Sequence, residues 1–270
     1  MVKILFTADI QVKNREKSLY RSQEKTLQEI ESILKETKAE IYLAAGDFWE
    51  FATPNDSERK LIYNHFARVI AIPTIKEVVL IAGNHDLEKE KKQLDTQVGF
   101  NPINIFADFV QNLDETLSKK IIYLRESKEY KSRVSNISYI AYSLEDEMLW
   151  RPIDGVTKRH PVITNIPNPN DSIRFNISVY HDILRDYVDE TKLPIRKEKY
   201  NNIIGINDFE SPLILAGDIH VNYKCTTLEG KTFMYPGSPI QHTHNEGSFL
   251  IIEVEGGASL EIVKRCTTPK

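Results

Sequence analysis

Cysteine is almost missing from this 270-residue chain, which has only Cys225 and Cys266. Two isolated thiols exclude a disulfide framework and a cysteine-built metal site, and they suit a reducing compartment. Long apolar runs are missing too, since no stretch approaches the roughly 18 residues that a membrane span needs. Met1-Val2-Lys3-Ile4-Leu5-Phe6 leads straight into a strand pattern without a leader-cleavage signature, so the expected location is the cytoplasm, with no membrane partner. A basic surplus is also lacking. With a net charge of −4 and a pI near 6.0, bulk electrostatics provide no argument for nucleic-acid binding. There is no repeat, heptad run or low-complexity tract.

What is present suits one large domain, at 41% hydrophobic and 27% charged residues. Short β-rich runs recur at Ile4–Phe6, Ile41–Ala44, Val78–Ile81, Lys120–Leu124, Ile137–Ala141, Phe175–Tyr180, Leu213–Leu215, Thr232–Tyr235, Phe249–Val254 and Leu260–Val263. Several are continuously apolar, as strands buried on both faces are. Between the first three lie helical patterns, one with Leu27, Ile30 and Leu34 on a single face, the next with Leu61, Ile62, Phe66, Val69 and Ile70. A third helical segment is expected between Gln93 and Leu117, and the last ~60 residues read as strands with little helix between them. The fold class is therefore α/β, a layered β-sandwich flanked by helices. Four prolines between Glu145 and Asp171 mark that stretch as a long surface excursion, a lid or binding loop.

Five polar clusters follow apolar runs: Asp9-Ile10-Gln11, Gly46-Asp47-Phe48-Trp49-Glu50, Gly83-Asn84-His85-Asp86, His181-Asp182 and Gly217-Asp218-Ile219-His220. In open α/β sheets, ligands bind beyond the carboxyl ends of strands, so such clusters can converge. Asp47 follows a glycine that permits a tight turn, and a carboxylate there can bridge two cations ~3.5–4 Å apart. Asp9, Gln11 and His220 would complete one metal site, and Asn84, His181 and Asp218 the other. Imidazole with hard oxygen donors suits Mn²⁺, Fe²⁺ or Mg²⁺ over a thiolate-seeking metal. A hydroxide held between two such cations would attack phosphorus in line, and His85, beside Asn84, would protonate the leaving oxygen. Glu50 and Asp86 join His85 as candidate catalytic residues.

Taken singly, each cluster has a plainer reading. Gly-Asn-His-Asp suits a turn, and Asp9-Ile10-Gln11 alone says almost nothing. It is the recurrence after five apolar runs that points to one site. His65 falls on the apolar stripe of its helix and is expected to be a satisfied core histidine. His160, His242 and His244 lie in loop contexts and read as solvated, although the last two follow Pro236-Gly237-Ser238-Pro239 and are placed to line a cleft.

With these residues in view, the chain resembles the calcineurin-like metallophosphoesterase superfamily, which carries D-x-H, G-D-x-x-[DE], G-N-H-[DE], a lone His and G-H-x-H in this order. Pro54 and Ser57 after the second motif, and Tyr235-Pro236-Gly237-Ser238-Pro239 after the fifth, look like the SbcD-type nucleases of double-strand-break repair, closest to phage recombination exonuclease subunits. The resemblance implies a nuclease domain over residues 1–265 with a short tail over 266–270, without the capping and ATPase-docking segments usual in the family. It further implies a metal-dependent DNA nuclease, a 3′-to-5′ exonuclease on duplexes and an endonuclease on single strands. DNA, an SbcC-type ATPase subunit and a second copy of the chain are the implied partners, in a host cytoplasm if the chain is phage-encoded.

Three positions depart from the family pattern. Gln11 stands where a metal-binding His is usual, Glu50 where many of these nucleases place a second catalytic His, and Asp218 where the first His of G-H-x-H is usual. Replacing imidazole by a neutral amide at position 11 is expected to loosen the first site. Basic residues Lys13, Arg15, Lys17 and Arg21 are placed to meet phosphates, or to form a solvated helix start. A phosphodiesterase or phosphatase acting on a small nucleotide or phosphoprotein is the alternative that the acidic pI favours, and a non-catalytic scaffold is a third reading.

Overall fold

In the computed structural model the described residues are 1–13, 17–51, 54–86, 115–144, 174–195, 203–240, 247–255 and 259–267. The expected excursion over 145–171, most of the helical segment expected between Gln93 and Leu117, and His160, His242 and His244 lie outside them.

Two six-stranded sheets face each other. The first has the order β12(Ser259–Thr267)-β11(Gly247–Glu255)-β1(Val2–Thr7)-β2(Ile41–Ala45)-β3(Glu77–Ile81)-β4(Ile121–Tyr123). The second runs β5(Glu129–Lys131)-β6(Ile137–Tyr142)-β7(Phe175–His181)-β8(Leu213–Gly217)-β10(Thr232–Tyr235)-β9(Tyr223–Thr226). β1 to β4 are mutually parallel, as are β6, β7, β8 and β10, while β11, β12, β5 and β9 pair antiparallel. The layered α/β sandwich is thus borne out.

Strand alternation sorts the core into layers. Ile4, Phe6, Ile41, Leu43, Val79 and Ile81 point between the sheets, against Tyr139, Ile177, Val179, Leu213 and Leu215. Leu5, Tyr42, Ala44, Val78 and Leu80 point outward, beneath α1(Lys17–Thr37) and α2(Asp56–Ile70). There Leu27, Ile30 and Leu34 meet Leu61, Ile62, Phe66 and Val69, the two stripes visible in the sequence. The outer face of the second sheet, with Tyr142, Tyr180, Phe233 and Tyr235, is covered by Leu184, Ile204, Ile206 and Phe209.

α2 starts where it does because Asn55 caps it: its Oδ1 accepts from the backbone of Ser57 and Glu58, both at 3.0 Å. Glu58 returns the contact by accepting from Asn55 N at 2.8 Å, a complete capping box.

All ten expected strands are present, and β5 and β9 are additional. Both are short edge strands with no wholly buried residue, so they carry no apolar run. β12 continues to Thr267, so Cys266 and Thr267, expected in a tail, pair with Ser248 and Gly247.

His65 is indeed a core histidine, wholly buried and fully engaged. Its Nδ1 lies 2.8 Å from Glu31 Oε1, and its Nε2 lies 3.2 Å from Tyr42 OH. With Nδ1–H given to the carboxylate, Nε2 accepts from Tyr42, which leaves the tyrosine oxygen to accept from Thr7, 3.0 Å away. Arg68 Nε closes the chain on Glu31 Oε2 at 2.8 Å.

Burial lowers the His65 pKa against the pull of Glu31. At Glu31, burial opposes ionisation, but hydrogen bonds from His65 and Arg68 outweigh it and lower the pKa. Both groups therefore bind protons more readily when the chain is unfolded, so their contribution to stability is present above their unfolded values and lost as pH falls. The stability difference between wild type and Glu31→Gln is expected to widen as pH drops through the His65 range below about 6.5, because the variant lacks the carboxylate that supports the protonated His65, and then to shrink through the carboxylate range below about 4.5 as Glu31 itself is protonated. Chemical denaturation at stepped pH measures it; a difference that stays constant across that window would refute the assignment.

Candidate metal centre

The parallel strands deliver their clusters to one edge of the sandwich, where the loops after β1 and β2 are zipped together. Asp9 N donates to Gly46 O at 3.0 Å, Gln11 N to Asp47 O at 2.8 Å and Val12 N to Phe48 O at 2.9 Å. To follow these paths Asp9, Gln11 and Asp47 take positive φ, 53°, 47° and 52°, as does Asp218 at 88°. Left-handed backbone at four non-glycine residues concentrates strain at this edge, as functional sites commonly do.

His181, at the end of β7, is the wholly buried centre of the arrangement. Its Nδ1 donates to Ala45 O, at the end of β2 in the opposite sheet, at 2.6 Å. That bond fixes the tautomer and turns Nε2 toward the carboxylates. Three glycines make room for the ring. A Cβ on Gly46 would lie 2.6 Å from Nδ1, one on Gly217 2.4 Å from Nδ1, and one on Gly83 2.7 Å from Cε1.

His181 Nε2, Asp47 and Asp9 offer ligand atoms that all lie within 4.8 Å of one another. Nε2 is 3.3 Å from Asp47 Oδ1 and is buried with no hydrogen-bond partner among the described residues. A ring nitrogen facing carboxylates calls for positive charge there, a proton or a metal in its place, and the mixed nitrogen and oxygen donor set suits a divalent metal. The expected half-sites, with Asp9 in one and His181 in the other, are in fact neighbours in a single cluster.

The electrostatics agree. Burial, joined by the charges of Asp47 and Asp218, pushes the Asp9 pKa well above the usual carboxylate range, with His181 pulling against it. Burial also disfavours the charged forms of Asp47 and His181. For Asp47 the neighbouring His181 and His85 outweigh that penalty and lower the pKa, and for His181 the carboxylates of Asp47, Asp9 and Asp218 outweigh it and hold the pKa well above its ordinary value. Crowded anions with too little positive charge among them make this a candidate cation site.

The remaining candidates take distinct places. Asp218 N donates to both Asp9 oxygens, at 3.0 and 3.2 Å, and His220 Nε2 lies 3.9 Å from Asp9 Oδ1, so the fifth cluster closes on the first. Burial lowers the His220 pKa, which favours the neutral, ligating imidazole. Gln11 directs Nε2 toward Asp47 Oδ2 at 3.5 Å, so its amide faces the carboxylate as a donor in this orientation. Asn84 and His85 are half-buried, and His85 N donates to Asp47 Oδ1 at 2.9 Å. His85 Nδ1 donates to Glu50 O at 2.5 Å, which leaves Nε2 facing the site 4.0 Å from Asp47 Oδ2.

Asp86 and Glu50 make contacts of their own. The Asp86 oxygens accept from Phe48 N and Gly83 N, both at 2.8 Å, so the carboxylate clamps two loops together. Burial and the Asp47 charge push its pKa up to about 8. Glu50 serves through its carbonyl, which orients His85, while its carboxylate lies 3.8 Å from Lys13 Nζ. Of the other basic residues, Arg15 and the side chains of Lys17 and Arg21 lie outside the description.

Nothing in the sequence flags the Ala45 carbonyl, because a backbone acceptor has no residue-type signature. The tyrosine and serine of Tyr235-Pro236-Gly237-Ser238-Pro239 are braces. Tyr235 OH accepts from Leu184 N at 2.8 Å and donates to Asp182 O at 3.1 Å, steadying the chain after His181. Ser238 Oγ donates to Asp9 O at 2.6 Å. Gly237, at φ 76°, sits where a Cβ would come within 2.5 Å of Ser248 Oγ.

A family model described as calcineurin-like phosphoesterase matches residues 2–222. The chain belongs to that family. It is accordingly a metal-dependent phosphoesterase, of a family that works with two divalent metals, and Asp9, Asp47 and His181 supply the candidate centre. No curated protein matches the chain by sequence. Among solved structures, the TT1561 protein of Thermus thermophilus is similar over 97% of this chain and 98% of its own, with 12% identity and a TM-score of 0.55, which speaks to the fold. An archaeal phosphodiesterase (9% identity, TM-score 0.49, 98% of this chain and 100% of its own) and a dimetal phosphatase from Danio rerio (12%, 0.48, 98% and 95%) are too distant to carry weight. Among the described residues, no helix is long and apolar enough to cross a membrane.

The glycine cradle is testable. A Cβ at residue 83 would lie 2.1 Å from Asp47 Oδ1, so Gly83→Ala must displace that ligand. A loss of at least about 10- to 100-fold in Mn²⁺ affinity is expected by calorimetry, the range seen when the support of a ligand is removed. Unchanged affinity would show that Asp47 does not bind metal.

Proposed function

We propose that this chain is a metal-dependent DNA nuclease of the SbcD type, hydrolysing phosphodiesters at the Asp9–Asp47–His181 centre. The observation that carries the reading is the seating of Ser238. The SbcD-like Tyr235–Pro239 segment is bonded to the first metal motif through Ser238 Oγ and Asp9 O, so the feature that marks the nuclease likeness is built into the centre itself.

Asp47 would serve both cations, Asp9, His220 and Gln11 would hold one with it, and His181, Asn84 and Asp218 would hold the other. Gln11 joins as a ligand only if its amide turns to present oxygen. Two divalent cations in such a centre, Mn²⁺ first and Mg²⁺ or Fe²⁺ otherwise, supply a deprotonated water near neutral pH and offset the charge of the phosphoryl oxygens. His85 does the complementary task. With Nδ1 committed to Glu50 O, its part-exposed Nε2 is the position from which a proton passes to the departing oxygen. Asp86 keeps the second and third motifs in register from behind.

The acidic overall charge favours the second reading, a phosphodiesterase or phosphatase acting on a small nucleotide or phosphoprotein. An SbcC-type ATPase partner and a homodimer belong to the nuclease reading, and co-purification and light scattering look for them.

The deciding experiment is degradation of an end-labelled DNA duplex and a single strand with Mn²⁺, Mg²⁺ or chelator, for wild type and Asp47→Ala. Mn²⁺-dependent cutting that the variant lacks is expected. Turnover of a small diester without any cutting of DNA would select the second reading. His85→Asn is expected to lower kcat on DNA by about 10²- to 10⁴-fold, the usual worth of a general acid. It should cost far less on bis(p-nitrophenyl) phosphate, whose phenolate leaves without a proton; equal losses on both substrates would remove His85 from that role.

A further inference from the structure

We infer that Asn222, whose amide is spent on backbone carbonyls, is the positioning residue that holds His220 beside Asp9, so that one of the two cations depends on a side chain outside the five clusters. The inference rests on the metal reading above and adds the residue on which the Asp9–His220 part of it relies.

His220 lies in the stretch 218–222 between β8 and β9, which carries no strand or helix. Its path therefore depends on bonds to neighbouring segments. At one end Asp218 N donates to both Asp9 carboxylate oxygens. At the other end Asn222 Nδ2 donates to Tyr235 O and Pro236 O, both at 3.3 Å. A side-chain amide carries two hydrogens, one for each carbonyl.

The register explains why a side chain takes this part. Tyr223 opposite Tyr235 is the last pair between β9 and β10, and one step further brings Asn222 opposite Pro236. Proline has no N–H to give, so the ladder stops there. Pro236 is buried, and its carbonyl is satisfied instead by Asn222 and by Ser248 Oγ, the latter at 2.6 Å.

The same segment reaches both residues of the pair. Ser238 N donates to His220 O at 3.4 Å, and Ser238 Oγ donates to Asp9 O at 2.6 Å. The packing is close, since a Cβ on Gly237 would lie 2.9 Å from Asn222 N and 3.3 Å from His220 O. His220 Nε2 stands 3.9 Å from Asp9 Oδ1, too far for a hydrogen bond, so no direct bond between the two rings and carboxylate sets their spacing. Asn222 sets it from the backbone, by fastening the His220 stretch to the segment that is itself bonded to Asp9.

The test titrates Mn²⁺ into the metal-free full chain, with calorimetry for affinity and electron paramagnetic resonance to tell paired from single ions. Wild type is expected to bind two ions. Asn222→Ala should weaken one of them by about 10- to 100-fold, the range for removing the support of a ligand, and leave the other at its wild-type affinity. Retention of that second ion shows that the variant is folded. Asn222→Asp keeps the shape but turns oxygen toward the two carbonyls, so it should lose as much as Asn222→Ala. Wild-type affinity at both sites in Asn222→Ala, equal weakening of both sites, or wild-type binding by Asn222→Asp overturns the inference. His220→Ala is the reference and should lose the same ion. If it does so while Asn222→Ala binds normally, His220 stays a ligand and the inference falls alone. If wild type binds fewer than two ions, or His220→Ala keeps both, the metal reading of His220 falls with it.

Discussion

The hydrogen bond from His181 to the Ala45 carbonyl is the constraint on which the rest of the centre depends. It crosses from one sheet to the other and therefore sets their separation at the edge where the strands end. It also consumes Nδ1, so the free nitrogen must face Asp47 and Asp9. Side chains at residues 46, 83 or 217 would push the ring away and open the sandwich at that edge. Three motifs thus require glycine for one reason, which is the volume of a single imidazole.

Around that ring the protein accepts local cost in several forms. Four non-glycine residues hold left-handed backbone, and three buried aspartates, Asp9, Asp47 and Asp86, lie close enough to influence one another. Such concentrations persist only where the surroundings over-determine them. Here the over-determination is visible: Asp86 bridges the loops after β2 and β3, Asp218 N seals the first motif, Ser238 holds the Asp9 carbonyl and Tyr235 spans the turn after His181. The stable outer layers, with the Glu31–His65–Tyr42 chain between helix and sheet, provide a rigid base.

Much of this is legible in the sequence, for physical reasons. Buried parallel strands must be continuously apolar, so Ile41–Ala45 and Leu213–Gly217 announce themselves, and polar residues directly after such runs lie at strand ends. The edge strands β5 and β9 are only three and four residues long and bury none of them fully, too little to separate from loop. Within the candidate site, residue type locates Asp9, Asp47, His181 and His220 but not what each atom does. Asp86 and Glu50 belong to the same clusters as the other candidate residues, yet the carboxylate of one faces backbone donors and the carbonyl of the other meets His85; orientation of that kind depends on contacts made across the fold. The tyrosine–proline–glycine–serine–proline segment stands out in the sequence as a likeness, and only its packing shows that it works as a brace.

The sequence separation inside the centre has a consequence for how the chain acquires it. Asp218 N meets Asp9 across a separation of 209 positions, and Ser238 meets the same residue across 229. β1 itself lies between β2 and the late strand β11. Closing loops of this length comes late and slowly in folding. During synthesis the first three motifs emerge well before the fifth, so a nascent chain can present Asp9 and Asp47 long before His220 and Ser238 reach them. The candidate centre in its finished geometry is therefore tied to completion of nearly the whole sandwich.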